Sequence, residues 1–238
     1  MIAALFLLSF GHNGRHAVAA LFRPNENVNA WLQMVEKHLP NATPIIFTET
    51  RLHAEKVRQN HPEVRVTLAK FEKCSSIAWP LCPGPGTAMH GDGYRNMCRL
   101  WYSDIWQYFD GFDYVARIDS DIDLHRVGEI FTHTVASPRM QGKDAPHVIE
   151  GMAHLFGARE PSYRNPYSNV MAVNLTWVRH SDELAMWFNL VRATNCICHN
   201  RWGDLPLWGE TLRAMNLSLV TLPHWEYVHG SHNKLIKS

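Results

Sequence analysis

Two aspartates one residue apart, Asp119 and Asp121, follow the apolar run Tyr114-Val115-Ala116-Arg117-Ile118. In an extended segment, side chains at i and i+2 point to the same face, so both carboxylates can converge on one cation. Carboxylate oxygens suit hard ions such as Mg2+ or Mn2+, above all ions shared with phosphate. A solvated acidic turn carries the same pattern, and Asp123 reads as a surface residue beyond it. Arg95 and Arg99, four apart near a helix start, could hold phosphate or sugar hydroxyls by forked hydrogen bonds, or form a salt-bridged surface face. Trp202 beside Asp204 offers a stacking plane and an acceptor, a combination suited to a sugar. Asp204 also fits the N-cap of the helix that follows, with Pro206 in its first turn. His229, in the tail segment Tyr227-Val228-His229-Gly230-Ser231-His232, can complete a mixed oxygen and nitrogen site for Mn2+. A lone tail histidine is equally an ordinary surface residue.

These residues need a scaffold, and the chain alternates between two periodicities. Residues 3–10 read as a buried strand and 26–39 as a helix with Val28, Trp31, Leu32, Val35 and Leu39 on one face. Residues 43–48 and 64–68 read as strands, with a surface helix over 51–60 between them. This β-α-β-α-β opening predicts an α/β fold with a mixed, mainly parallel central sheet flanked by helices. A loop over 75–93 leads into a helix over 94–109, and the strand 113–118 runs directly into the acidic turn. Ligands of open α/β sheets sit outside the carboxyl ends of strands, which is where that turn falls. Further on, 169–174 and 217–222 read as strands, and 182–194 and 205–215 as helices. One domain over 1–238 is expected, closed by a C-terminal tail.

Composition narrows the function classes. With 46% hydrophobic residues and no long charge run, the chain is not intrinsically disordered. A net charge of +1 gives no global polyanion-binding surface, so no nucleic-acid partner is expected. The 15 histidines invite a metal, and the 9 tryptophans a carbohydrate or nucleotide. The apolar stretch 1–10 is too short for a bilayer, which needs about 20 residues. It lacks the basic start and small-residue cleavage site of a signal peptide, so a membrane anchor is expected only upstream of this sequence. Five cysteines leave at least one unpaired; Cys196-Ile197-Cys198-His199 looks like half a zinc site without its partner half. Sequons at Asn41, Asn174 and Asn216 weigh towards a lumenal location.

Taken in order, the motifs resemble glycosyltransferase family 15, the fungal Golgi α-1,2-mannosyltransferases. Tyr94-Arg95-Asn96-Met97-Cys98-Arg99 is similar to that family's Y-R-H-M-C-R, and Arg117-Ile118-Asp119-Ser120-Asp121 to its R-V-E-P-D. Tyr167-Ser168-Asn169 resembles part of F-W-S-N, Arg201-Trp202-Gly203-Asp204-Leu205-Pro206 resembles R-W-G-D-A-P, and Tyr227-Val228-His229 the terminal histidine segment. The resemblance implies a single GT-A domain, with 1–123 binding the nucleotide-sugar and 124–238 the acceptor. It implies Mn2+ (or Mg2+), a GDP-mannose donor, a glycan or glycoprotein acceptor, retention of anomeric configuration and a place in the Golgi or secretory lumen. Asp119, Asp121 and His229 would be metal ligands. Tyr94 and Asp204 would be catalytic-pocket residues, and Arg95, Arg99, Asp119 and Trp202 would contact the donor. One position departs: Met171 stands where the family carries the glutamate that is its candidate nucleophile. A donor carrying galactose, glucose or rhamnose, or a binding module without turnover, are the rival expectations.

Overall fold

A computed structural model describes residues 15–71, 91–141, 151–153, 155, 157, 165–200, 202–230 and 234–238. Its first half alternates β1 (His16–Phe22), α1 (Val28–His38), β2 (Ala42–Thr48), α2 (Arg51–Asn60) and β3 (Arg65–Leu68). The helices start where the sequence supplies caps: Asn27 accepts from the Ala30 amide and Thr50 from the His53 amide. α1 then buries Val28, Trp31, Met34 and Val35, the spacing of one helical face. The strand expected over 3–10 lies outside the described residues. The strand that feeds α1 is instead His16–Phe22, whose Ala17, Val18, Ala19 and Ala20 are wholly buried.

α3 (Asp92–Arg99) does not continue as one helix to residue 109. It widens into a π turn over Leu100–Asp104 and tightens into a 3-10 turn over Ile105–Tyr108. This irregular stretch buries Leu100, Trp101, Tyr102 and Ile105 together, with the Tyr102 hydroxyl 2.7 Å from Thr211 Oγ1. β4 (Tyr114–Ile118) and β5 (Ile122–Arg126) flank the acidic turn, and β6 (Val135–Ser137), β7 (Met140–Gln141), β8 (Asn165–Pro166) and β9 (Val170–Asn174) follow. Next come α4 (Leu175–His180), α5 (Asp182–Thr194), α6 (Cys196–Asn200) and α7 (Asp204–Ala214). The chain ends in β10 (Val220–Thr221), β11 (Glu226–His229) and β12 (Lys234–Lys237).

Among the described residues the central sheet has seven strands in the order β10-β6-β9-β4-β1-β2-β3, antiparallel only where β9 meets β4 and β6. Alternation along each strand divides the apolar residues between two cores. Ala17 and Ala19 face the layer holding Trp101, Trp202 and Trp208, whereas Val18 and Ala20 face Trp31, Trp225 and Tyr227. Because β1, β4 and β6 run parallel and β9 opposes them, Asp119 after β4, Arg139 after β6 and Asn169 before β9 share one edge.

A second sheet, β12-β11-β5, packs the tail against that edge. Its antiparallel register puts His229 opposite Ile122, and the Gly230 amide donates to the Asp121 carbonyl at 2.8 Å. A Cβ on Gly230 would lie 2.9 Å from that carbonyl, so any larger residue would push the tail off the acidic turn. Cys196 and Cys198 are both disulfide-bonded, which removes the half zinc site, and Cys98 is a buried free thiol. No helix among the described residues is long and apolar enough to cross a membrane.

The sequons differ in what their side chains do. Asn41 and Asn216 are exposed, whereas Asn174 accepts from the Trp177 amide to start α4 and donates to the Tyr114 hydroxyl. In a secretory host, glycopeptide mapping is expected to find carbohydrate on Asn41 and Asn216 and none on Asn174. A glycan on Asn174 would show that this cap opens before the sheet closes.

Candidate active site

Arg117 organises the acidic edge. It is the charged interruption of the otherwise apolar β4, and it is 4% exposed. Its Nε and Nη2 donate to the two carboxylate oxygens of Asp119 at 2.6 and 3.0 Å, and Nη1 donates to Asp204 Oδ2 at 2.5 Å. Its guanidinium also lies 4.6 Å from the Trp101 ring centroid. Burial opposes the charge on Arg117, but Asp119 and Asp204 outweigh it and hold the guanidinium protonated well above its usual range. Burial raises the Asp119 pKa, with Arg117 pulling the other way.

Asp119 is therefore engaged on both oxygens, since Asn169 Nδ2 also donates to Oδ2 at 2.7 Å. Asp121 is placed differently. Its Oδ2 lies 3.3 Å from His229 Nε2, and its side chain is 35% exposed, so it is the carboxylate open to a ligand. His229 touches two side chains besides Asp121. Asn169 Nδ2, fixed as a donor by Asp119, is 3.3 Å from Nε2, while Nδ1 is 2.7 Å from the Tyr167 hydroxyl. Tyr167 and Asn169 thus hold the ring in place, with Nε2 turned to the Asp121 carboxylate. A carboxylate oxygen and an imidazole nitrogen side by side could hold a divalent cation between them. Their 3.3 Å separation is close to the roughly 3.0 Å expected for neighbouring octahedral ligands at about 2.1 Å from the ion. Among the described residues no group of three or more His, Cys, Asp or Glu is already gathered as a metal cage, so phosphate and water oxygens would complete such a shell.

The other residues singled out in the sequence fall into two groups. Tyr94, Cys98 and Asp204 lie together: the Tyr94 hydroxyl is 3.8 Å from where a Gly203 Cβ would be, at the start of α7. Burial pushes the Cys98 thiol far up, with Asp204 adding to the rise, so it is no nucleophile. Asp204 is not the N-cap expected of it. Gly203 takes that place and Asp204, 4% exposed, turns its carboxylate to Arg117. Trp202 is wholly buried among the core tryptophans, so the stacking plane expected for a sugar faces the interior. Arg95 is buried with Asp92 at 3.4 Å. Arg99 is held by Asp104 at 2.9 Å, and Arg192 binds the same carboxylate, which ties α3 to α5. Arg201 lies outside the described residues. Met171 is 1% exposed and directly opposite Arg117 across β4 and β9, so the carboxylate of the family pattern has no replacement there.

In the sequence Arg117, Tyr167 and Asn169 stand only as motif members, with no role marked for them. An arginine inside a five-residue apolar strand was the available signal for the first. The other two act through contacts 50 to 62 residues away in sequence, which no local pattern marks.

No protein-family model matches the chain, and no curated protein matches it. Solved structures do match. Core-mannan synthase A from Aspergillus fumigatus, in its Mn/GDP form, superposes with a TM-score of 0.59 at 14% identity, covering 93% of this chain and 76% of that one. Mouse xyloside xylosyltransferase 1, in its apo form, gives a TM-score of 0.51 at 10% identity, covering 88% and 85%. These likenesses, with the sheet order above, show a single-domain GT-A fold.

Proposed function

We propose that the protein is a metal-dependent, retaining glycosyltransferase that moves a hexose, mannose from GDP-mannose, onto a glycan or glycoprotein acceptor. The observation that carries this reading is the pairing of Asp121 Oδ2 with His229 Nε2 at the carboxyl edge of a GT-A sheet. The resemblance to family 15 and the fold shared with a mannan synthase solved with Mn and GDP support the choice of donor. Disulfides at Cys196 and Cys198 and two exposed sequons support a secretory-lumen location.

In this reading Asp121 and His229 would hold Mn2+, with Asp119 backing them through Asn169. The ion, when bound, supplies Lewis acidity to the donor diphosphate. Tyr167 fixes the His229 ring, so Nε2 stays aimed at the site. Tyr94 and Asp204, together at the start of α7, would face the sugar and acceptor, with Arg95 beside Tyr94 on α3. Trp202 lies in the core next to Asp204 in sequence, and Arg99 is fixed by Asp104, so neither contacts the donor directly in this reading. Because Met171 cannot act as a nucleophile, retention proceeds on one face of the sugar. The C1–O bond breaks with its electron pair leaving on the β-phosphate oxygen, the acceptor oxygen bonds C1, and its proton passes to the departing phosphate.

Titrating GDP and UDP calorimetrically with and without Mn2+, followed by transfer assays on the matching sugar donors, tests the proposal. Metal-dependent GDP binding and consumption of GDP-mannose are expected. Metal-dependent UDP binding instead would reassign the donor, and saturable binding without turnover on any donor would make the protein a binding module. No nucleoside diphosphate binding under any metal condition would overturn the proposal.

A further inference from the structure

We infer that Arg139 is the protein's own cationic contact for the donor diphosphate, presented by the same Tyr167 ring that orients His229. The inference rests on the nucleotide-sugar reading above and deepens it.

Arg139 lies in the turn between β6 and β7, at the edge shared by Asp119 and Asn169. Its backbone is fixed there. The Ser137 hydroxyl and the Tyr167 amide both donate to the Arg139 carbonyl, at 3.0 and 2.9 Å. The guanidinium then sits over the Tyr167 ring, its Cζ 5.0 Å from the centroid, while the hydroxyl of that ring reaches His229 Nδ1. One aromatic side chain thus carries the guanidinium on its face and the candidate metal ligand at its tip.

Charge separates Arg139 from the other arginines around the site. Arg95, Arg99, Arg117, Arg192 and Arg213 each pair with a carboxylate, whereas no carboxylate among the described residues pairs with Arg139. Asp119, Asp121 and Asp204 set three negative charges against Arg117. A divalent cation would balance that excess, leaving the charge of an arriving diphosphate to be met by a further cation. Arg139 is partly exposed and keeps its forked donors for phosphate oxygens, the geometry guanidinium matches best.

The test is calorimetric binding of Mn2+ alone, and of GMP, GDP, UMP and UDP with Mn2+, to wild type, Arg139→Ala and Arg139→Lys. Wild type is expected to prefer a diphosphate over its monophosphate. Arg139→Ala should weaken the diphosphate at least tenfold, leave the monophosphate and Mn2+ alone within twofold, and so erase the preference; Arg139→Lys should restore part of it. Tyr167→Phe keeps the ring under Arg139 and removes the His229 contact, so it should weaken Mn2+ while retaining the diphosphate preference. Wild-type diphosphate affinity in a folded Arg139→Ala protein overturns the inference alone. Absence of diphosphate binding in wild type overturns the donor reading, and the inference with it.

Discussion

Asp121→Ala is expected to lose sugar transfer and metal-dependent nucleotide binding together, with turnover falling on the order of 1000-fold or more. The joint loss follows from the placement of the carboxylate. Asp119 already serves Arg117 and Asn169, so it cannot take over as the acidic partner of His229 without breaking contacts at 2.6 and 2.7 Å. Asp121 is partly exposed and its main-chain carbonyl, retained in the variant, still receives the Gly230 amide. The thermal midpoint should accordingly move little. Asp123→Ala is the matched control, because Asp123 is exposed on β5 and faces His125. It should keep activity within about twofold, as surface substitutions commonly do. Full transfer by Asp121→Ala would sink the assignment of the site.

Arg117→Met should have the largest effect on stability. Arg117 is 4% exposed and holds two carboxylates, so its removal leaves Asp119 and Asp204 facing each other with no counter-charge. Breaking a buried pair from one side costs about 3–5 kcal/mol. In a domain of this size that lowers the melting temperature by roughly 6–20 °C. Arg117→Lys keeps a charge but not the fork that reaches both carboxylates, and should fall between the two. Combining Arg117→Met with Asp204→Leu removes one uncompensated charge and should recover part of the loss. A double variant no more stable than Arg117→Met would mean that the unpaired Asp204 charge is not what destabilises that variant.

Elements whose signals are local were legible in the sequence. α2 and α5 fall on the ranges 51–60 and 182–194 read as helices, where Thr50 and Ser181 cap them. β4 was clear as a run buried on both sides. β1 was not, since three alanines dilute its strand character and the more apolar stretch 1–10 drew the assignment. β5, β11 and β12 were missed for a different reason. β5 and β11 are short strands whose pairing partners lie about a hundred residues apart, and alternation over four or five residues is too little to register. The acidic pair stood out by its spacing at a strand end, whereas His229 gained its proposed role only from the order of the motifs. Arg139 carries no sequence signal at all, as its role depends on a ring 28 positions further on.

The contact between Asp121 and His229 joins positions 108 residues apart, and β11 must pair with β5 before it can form. At about 5–20 residues per second, the ribosome needs on the order of 5–20 s to make the intervening chain. Strands β1 to β4 can assemble in that interval, complete with the aspartates but without the histidine. A nascent chain therefore passes through a stage in which its sheet is built and the proposed cation site is half-made. If the proposed site holds an ion, its capture would report that synthesis has reached β11.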